Sequence, residues 1–262
     1  MFTKIFGLIS YLYFFYTLPL AATLFMVNGT HKYIPELIDY FPYNIDYNIH
    51  TYDLNLSSKV LVNLALLSLF AIPHSLLARP KIKQWMNIPK TLERSFYVFQ
   101  SAGLLHLILH FWQPITESIW DVSGDYEIVL IAAYLFGYLW LLTSTFAIDH
   151  FELFGLRQSL NMGTFLQLYS TDDTEPKTQN LITKFHYNLV RHPIMSGFFV
   201  MLWAVPSMTV GHLLFSVTCS LYIILAVKFL EEPDLVSELG DEYETYKKNT
   251  PMYCPFSNCK LE

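Results

Sequence analysis

Two pairs of charged or titratable residues near the C-terminus have types and spacing that can do chemistry. Arg191 and His192 precede an apolar stretch at residues 194–230, and Glu231 and Glu232 follow it directly. The stretch has one short polar break, and each half is long enough to cross much of a bilayer. It therefore predicts a helical hairpin, which returns its two ends to the same side of the membrane. The two pairs should meet there and form the candidate active site.

The proline that follows the Arg191–His192 pair refines the prediction. Pro193 suits the first turn of a helix, because its missing N–H would have no partner there. Arg191 and His192 then lie at the helix N-terminus, where the dipole favours an anion such as a carboxylate. Arg191 could equally anchor a lipid phosphate.

The two adjacent glutamates need a different explanation. They end an apolar helix at its negative pole, where the dipole disfavours a carboxylate. Glu231 and Glu232 therefore require a cationic partner, either Arg191 or a positively charged ligand. The alternative is that both face the cytosol and simply end the helix.

Two tyrosines follow in the C-terminal segment. Tyr243 and Tyr246 are three residues apart, so on a helix they share one face. Such a face can cover an aromatic or cationic ligand. More often, such a pair is only part of a tyrosine belt at a membrane interface.

Three further residues are candidates for proton transfer. His150 follows Asp149, and a carboxylate next to an imidazole can make it a general base. A structural hydrogen bond at the membrane surface explains the same pair equally well. His74 lies within an apolar segment, where a polar residue is a functional hypothesis by default, although Ser75 can satisfy it.

No metal site is predicted. His106 and His110 have the spacing that chelates one ion, but no third ligand is apparent, which favours a hydrogen-bonding role. Cys254 and Cys259 likewise have no neighbouring histidine or cysteine that would complete a set of ligands.

The composition indicates the class of protein that must position these residues. Of 262 residues, 53% are hydrophobic and only 15% are charged, which is too apolar for an ordinary soluble domain. The net charge of -6 provides no basic surface for nucleic acid. The fold class predicted is an all-α polytopic membrane protein with a single domain, residues 1–262. Its parts are a first helix with an external loop at 1–59, substrate-side helices at 60–182, and the hairpin with the C-terminal motif at 183–256.

Six transmembrane helices follow from the apolar segments, which are residues 5–27, 60–78, 95–112, 128–148, 194–205 and 213–230. The second and fourth loops hold nine Lys and Arg residues. The opposite loops hold Lys32, with Lys59 at a membrane edge. Because positive loops stay in the cytoplasm, both termini should be cytoplasmic. The expected membrane is the bacterial inner membrane or, in a eukaryotic cell, the endoplasmic reticulum or nuclear envelope.

Several motifs together resemble a known superfamily. Arg-His-Pro before the hairpin, and Glu-Glu followed by Leu235, Gly240, Tyr243, Tyr246 and Pro251, resemble the isoprenylcysteine carboxyl methyltransferase superfamily. Four upstream motifs resemble the branch of it that contains methanethiol S-methyltransferase and nurim. They are PHSLLARP at 73–80, ERSFYV at 93–98, DHFELFGLRQ at 149–158 and PSMTVGHLLF at 206–215.

This resemblance implies an enzyme that binds S-adenosylmethionine (SAM) on the cytoplasmic side. Arg191 and His192, before Pro193, would hold the carboxylate of SAM. Glu231 or Glu232 would take its ammonium or ribose hydroxyls, and Tyr243 and Tyr246 would cover its adenosine. The reaction implied is S-methylation of a small volatile thiol, namely methanethiol to dimethyl sulfide.

The nucleophile should be the thiolate, since a neutral thiol is far weaker. His150, oriented by Asp149, is the base expected for this step, and His74 is the second choice. The partners expected are the thiol and the lipid bilayer.

Two other functions remain open at this point. A prenylcysteine carboxyl methyltransferase would need arginines at the substrate entrance, for which Arg94 and Arg157 are candidates. A nurim-like membrane scaffold would need no cofactor. The oligomeric state is not predicted.

Overall fold

The structure, a computed structural model, describes residues 1–18, 43–162, 181 and 183–256. The described chain is mostly helical, as predicted, but it also contains two short antiparallel strand pairs that the all-α prediction missed. The helices are α1 Phe2–Phe15, α2 Leu56–Leu77, α3 Pro80–Met86, α4 Lys90–Phe111, α5 Asp125–Ile148, α6 His150–Leu153, α7 Leu156–Leu160, α8 Pro193–Trp203, α9 Val210–Ala226, α10 Glu232–Leu239 and α11 Asp241–Asn249. The strands are β1 Tyr43–Asn44, β2 Tyr47–Asn48, β3 Ser118–Asp121 and β4 Ser207–Thr209.

Three helices among the described residues are long and apolar enough to cross a membrane. They are α2, α5 and a continuous helix at Val210–Leu239, which comprises α9, a π turn at Val227–Glu231 and α10. The protein is therefore a membrane protein. The helix that begins with α1 and the helix α8 are apolar but shorter. Residues 19–27 of the first predicted span lie outside the described residues.

The outer end of the hairpin differs from the short turn predicted between its helices. The 11 residues of α8 rise only ~16 Å, about half of a ~30 Å hydrocarbon core. The chain then becomes extended, and β4 pairs with β3. Val210 N donates to Glu117 O at 2.8 Å, which continues this pairing to the start of α9. The strand pair supplies hydrogen-bond partners to backbone groups that a helix end would leave exposed.

Close packing of α8 on α5 holds the first half of the hairpin. A Cβ added to Gly197 would lie 2.7 Å from both Gly137 O and Leu141 Cβ. A Cβ on Gly137 would lie 2.9 Å from Val200 Cβ. Small residues allow two membrane helices to approach this closely and gain dispersion contacts. The second half of the hairpin, α9, packs against α2, and α4 packs against both α1 and α2.

The segment that carries His150 is tied to α4. Arg94 Nε donates to Leu153 O at 2.6 Å, and Ser95 Oγ donates to Gly155 O at 3.0 Å. Gly155 has φ 79°, and a Cβ there would lie 2.6 Å from Ser95 N. Glycine is therefore required at this close approach.

We predict that Gly197→Ala destabilises the protein by about 1–3 kcal/mol, because the added methyl group clashes with α5. Gly103→Ala is the matched control. Gly103 also lies inside a helix, but its Cβ would meet only a Tyr13 ring carbon at 4.0 Å. This control substitution should leave the free energy of unfolding unchanged or raise it by about 0.5–1 kcal/mol. Melting temperatures in detergent measure both, and equal values would contradict the packing argument.

Candidate active site

An ion pair between Arg191 and Glu232 is the centre of the candidate site. Arg191 Nε and Nη2 each lie 2.8 Å from Glu232 Oε1. Arg191 is 9% exposed and Glu232 is 2% exposed. The two ends of the predicted hairpin therefore meet. Of the two cationic partners considered for the glutamates, Arg191 is the one that Glu232 contacts.

The remaining contacts of the Arg191 guanidinium are also within the protein. Nη1 donates to the carbonyl oxygens of Lys247, at 3.0 Å, and Thr250. The backbone joins the same region, because Arg191 N donates to Pro251 O at 2.9 Å and His192 N donates to Met252 O at 3.1 Å. Arg191 therefore connects the start of α8 to the π turn and to the C-terminal tail.

His192 joins the two glutamates. Its Nδ1 lies 3.4 Å from Glu231 Oε1, and its Nε2 lies 3.3 Å from Glu232 Oε1. Burial by itself lowers the pKa of His192, but hydrogen bonds to the two carboxylates outweigh burial and raise the pKa above its usual value. The adjacent glutamates reach one imidazole where the helix leaves the π turn. Such turns inside helices are frequent at functional sites.

The cluster presents both signs of charge at its edge. Lys247 Nζ lies 3.2 Å from Glu232 Oε2. The side chains of Glu231 and Lys247 are 45% and 40% exposed, whereas the Glu232 side chain is 3% exposed. A ligand that reaches this edge meets one accessible carboxylate and one accessible ammonium group, supported by a buried ion pair.

Tyr243 and Tyr246 lie beneath this cluster rather than on an open face. Both are buried on α11, with ring centroids 5.9 Å apart. The Tyr243 hydroxyl lies 3.5 Å from Glu232 Oε1, and the Tyr246 hydroxyl donates to Tyr187 O. Burial raises the pKa of Tyr246 to about 12. The two tyrosines thus share a side of the helix, and that side faces the protein.

Tyr253 is a candidate site residue that no spacing pattern indicated. Its ring lies 6.0 Å from that of His192 and 5.1 Å from that of Phe199. Ser196 Oγ donates to Tyr253 O at 2.6 Å and holds the tail in place. The Tyr253 hydroxyl is buried and has no hydrogen-bond partner among the described residues. Only the return of the tail to α8 places it here.

Asp149 and His150 were predicted to contact each other, but each side chain has other partners. His150 is 2% exposed, its Nε2 lies 3.0 Å from the Tyr11 hydroxyl, and its Nδ1 lies 2.7 Å from Thr145 Oγ1. Asp149 pairs with Arg157 at 2.8 Å and accepts a hydrogen bond from Glu152 N. The predicted hydrogen bond by which Asp149 orients His150 is thus absent from the contacts of the described residues. Asp149 caps α6 instead.

The surroundings of His150 are aromatic. Its ring stacks on Phe146 at 4.2 Å and meets the edges of Phe15 and Phe154. Burial lowers the pKa of His150, and the charge of Asp149 only partly opposes this effect. The ring joins α1 to the end of α5.

His74 belongs to a second polar cluster. Its ring nitrogens lie next to Ser101 Oγ and the Tyr97 hydroxyl, whereas Ser75 Oγ pairs with the Tyr222 hydroxyl at 2.9 Å. The ERSFYV motif contains Tyr97, but its place beside His74 depends on how α2 and α4 pack. The His106 and His110 rings lie 6.4 Å apart on α4. In the described part of the chain, no three potential ligands come together as a metal site.

We predict that His150→Ala lowers thermal stability, because it removes a buried, closely packed ring and leaves the Tyr11 hydroxyl without its partner, whereas Thr145 keeps its bond to Leu142 O. An unpaired buried polar group costs about 1–3 kcal/mol. His186→Ala is the control, since His186 bonds to an exposed threonine at 3.2 Å. The check is a melting curve of each variant in detergent. An unchanged melting temperature with reduced turnover would instead support a role of His150 as the base.

No family model matches the chain, and no solved structure matches it. The chain is 42% identical to methanethiol S-methyltransferase 2 of Bradyrhizobium diazoefficiens, over 77% of this chain and 75% of the relative. It is 36% identical to methanethiol S-methyltransferase 1 of the same organism, over 96% of this chain and 81% of the relative.

A more distant similarity extends to nurim of Danio rerio. The identity is 32%, over 64% of this chain and 62% of that protein. The chain covers more of the methanethiol S-methyltransferases, at higher identity. The resemblance seen in the motifs is thereby confirmed, and the chain belongs to the methanethiol S-methyltransferase family.

Proposed function

We propose that this protein transfers a methyl group from SAM to methanethiol and forms dimethyl sulfide. The observation that carries the proposal is the buried Arg191–Glu232 pair, which supports an exposed carboxylate and an exposed ammonium group at the end of the apolar hairpin. The names of the related enzymes indicate the thiol. Together they favour an enzyme over a scaffold.

The groups at the edge of the cluster fit SAM. Its amino acid end carries an ammonium and a carboxylate group, and Glu231 and Lys247 present the opposite charges. The buried Tyr253 hydroxyl, which has no partner among the described residues, adds a hydrogen-bonding group next to His192. When bound, SAM supplies an electrophilic methyl group attached to a sulfonium cation.

The remaining predicted residues have supporting roles in this proposal. Arg191 and His192, at the start of the helix that Pro193 begins, hold Glu232 and Glu231 in position. Tyr243 and Tyr246 support the cluster from below and fix the C-terminal tail. Arg191→Ala is therefore a poor test of ligand binding, since breaking a buried ion pair typically costs about 3–5 kcal/mol of stability.

Catalysis in such a reaction depends mainly on orientation and on removing water. Methyl transfer is an in-line displacement, so alignment of the thiol with the methyl group lowers the barrier. The protein must also remove the thiol proton, because thiolate is the reactive form. Of the predicted bases, His74 lies in a polar cluster near the helix that carries Glu231, whereas His150 joins α1 to α5.

The finer topology is also part of this proposal. Six spans with cytoplasmic termini, in one domain, place the charged cluster at the cytoplasmic surface, where SAM is available. The thiol, which is apolar, can approach through the bilayer. Cysteine labelling of the loop between Arg79 and Arg94 from outside the cell would contradict this orientation.

Headspace detection of dimethyl sulfide tests the function directly. Membranes that contain the protein should form it when both methanethiol and SAM are supplied, and neither alone should suffice. A protein that is folded and binds no SAM would support the scaffold interpretation that the nurim similarity raises. Methylation of a prenylated cysteine carboxylate, without any dimethyl sulfide, would indicate the other enzyme.

We predict that Glu231→Gln weakens SAM binding by about 10–150-fold, the equivalent of about 1.5–3 kcal/mol for a hydrogen bond to a charged group. Because Glu231 is at the edge of the cluster, the folded protein should tolerate the change. Glu242→Gln, an exposed substitution of the same type on α11, is the control. Calorimetry of SAM binding measures both, and equal affinities would exclude Glu231 from the site.

A further inference from the structure

A polar cluster lies among apolar residues between α2, α4 and α9. His74 Nδ1 lies 2.9 Å from Ser101 Oγ. The Tyr97 hydroxyl lies 3.0 Å from His74 Nε2 and 3.2 Å from Nδ1. On the adjacent side of α2, Ser75 pairs with Tyr222. Polar groups among apolar helices are costly unless they are paired, and those inside a membrane commonly mark functional sites.

This cluster lies close to the proposed cofactor end of the hairpin. Arg79, five residues after His74, donates to Leu230 O at 3.3 Å and pairs with Asp234 at 3.1 Å. Leu230 immediately precedes Glu231. His74 lies in the last turn of α2, five residues before Arg79, and Tyr97 contacts it from α4. The pair is therefore near the end of α2 that leads to the Arg79 contact with the π turn.

We propose that Tyr97 takes the proton of the thiol substrate and that His74 accepts the phenolic proton through Nε2. This inference rests on the proposed function and names the residues that carry out its proton transfer. Tyr97 is the catalytic residue, because it touches the thiol. His74 acts through Tyr97, and Ser101 Oγ fixes the imidazole by accepting a hydrogen bond from Nδ1–H, which leaves Nε2 as the acceptor.

The transfer balances in atoms and charge. The S–H bond breaks and a new O–H bond forms on Tyr97, while the former phenolic proton moves to His74 Nε2. The electron pair left on sulfur forms the C–S bond to the methyl group that the cofactor supplies. The positive charge of the sulfonium ends on the imidazolium, so no additional charge is created in the apolar interior. This matters because an unpaired buried charge is costly.

Charged groups lie on both sides of the pair. Arg94 Cζ on α4 lies 5.3 Å from the centre of the Tyr97 ring, where its positive charge favours negative charge on the phenol oxygen and opposes an imidazolium on His74. The other groups that act on Tyr97 are Tyr222 on α9 and Glu231 on the π turn, whose negative charge favours a cation nearby. Tyr97 further lines a cavity of about 10 Å³ with Lys83 and Glu93. A space of this size holds about one water molecule beside Tyr97.

His150 lies elsewhere in the bundle. Its ring nitrogens contact a tyrosine and a threonine hydroxyl, as those of His74 contact a tyrosine and a serine, but these partners are on α1 and α5, and no contact among the described residues joins His150 to Glu231 or His192. Tyr97 contacts His74 on α2, and α2 packs against α9 while Arg79 after it contacts the π turn. The geometry therefore favours Tyr97 and His74 over His150 for proton transfer.

The test uses the full chain in detergent, with SAM and methanethiol, and three variants. Tyr97→Phe removes the proton-accepting oxygen and keeps the ring. His74→Gln can still accept the Tyr97 hydrogen bond but cannot become a cation. Ser216→Ala is the control, since it removes one buried hydroxyl of α9, which donates to Leu202 O, and leaves His74 and Tyr97 untouched. Dimethyl sulfide formation against pH, SAM affinity by calorimetry and melting temperature are measured for each.

We expect Tyr97→Phe and His74→Gln to lower turnover at neutral pH by about 10²–10⁴-fold, the usual effect of losing a general base. The defect should shrink as the pH approaches the pKa of the free thiol, because thiolate then forms without help. SAM affinity should be unchanged in both, and the control should keep its turnover.

Two results would overturn this inference. One is normal turnover of Tyr97→Phe at neutral pH. The other is a pH-independent loss that follows the melting temperature in both variants, including failure of both to fold, which would assign the cluster a structural role. A wild-type protein that binds SAM and forms no dimethyl sulfide would instead contradict the proposed function itself.

Discussion

The buried ion pair between Arg191 and Glu232 is the interaction on which the C-terminal third of the protein depends. It joins the first helix of the hairpin to the π turn at the end of the second helix. The carbonyl groups of Lys247 and Thr250 complete the contacts of the guanidinium. Removing one partner would leave the other charge buried and unpaired, which is why such pairs are sensitive to single substitutions.

The ion pair also separates structural from accessible groups. Because Glu232 is occupied by Arg191, His192 and Lys247, it cannot also be the main ligand group. Glu231 remains accessible, although it adjoins Glu232 in the sequence. The proposed cofactor thus meets a rigid charged surface whose groups are already oriented, and this preorganisation reduces the entropy lost on binding.

A second polar cluster, formed by His74, Tyr97 and Ser101, lies near the same end of the hairpin and is held by different helices. The end of the π turn is contacted by Arg79, which follows α2, while Tyr97 belongs to α4. This division places cofactor binding on the hairpin and the C-terminal segment, and proton transfer on α2 and α4. Methyl transfer requires both sets of groups to be aligned, so the packing of α9 against α2 controls their relative position.

The sequence alone was sufficient to predict a helical membrane protein, the family, and the meeting of Arg191 and His192 with the two glutamates, because apolar length and charge position are local properties of the chain. Which charge pairs with which was decided by the tertiary structure. The tail returns to α8 only through contacts between distant residues, so Tyr253 had no signal in its spacing. Asp149 precedes His150 in the sequence, yet its carboxylate turns to Arg157 while Tyr11 and Thr145 hold the imidazole. Neighbours in sequence share a backbone, but the partners of their side chains depend on how the helices pack.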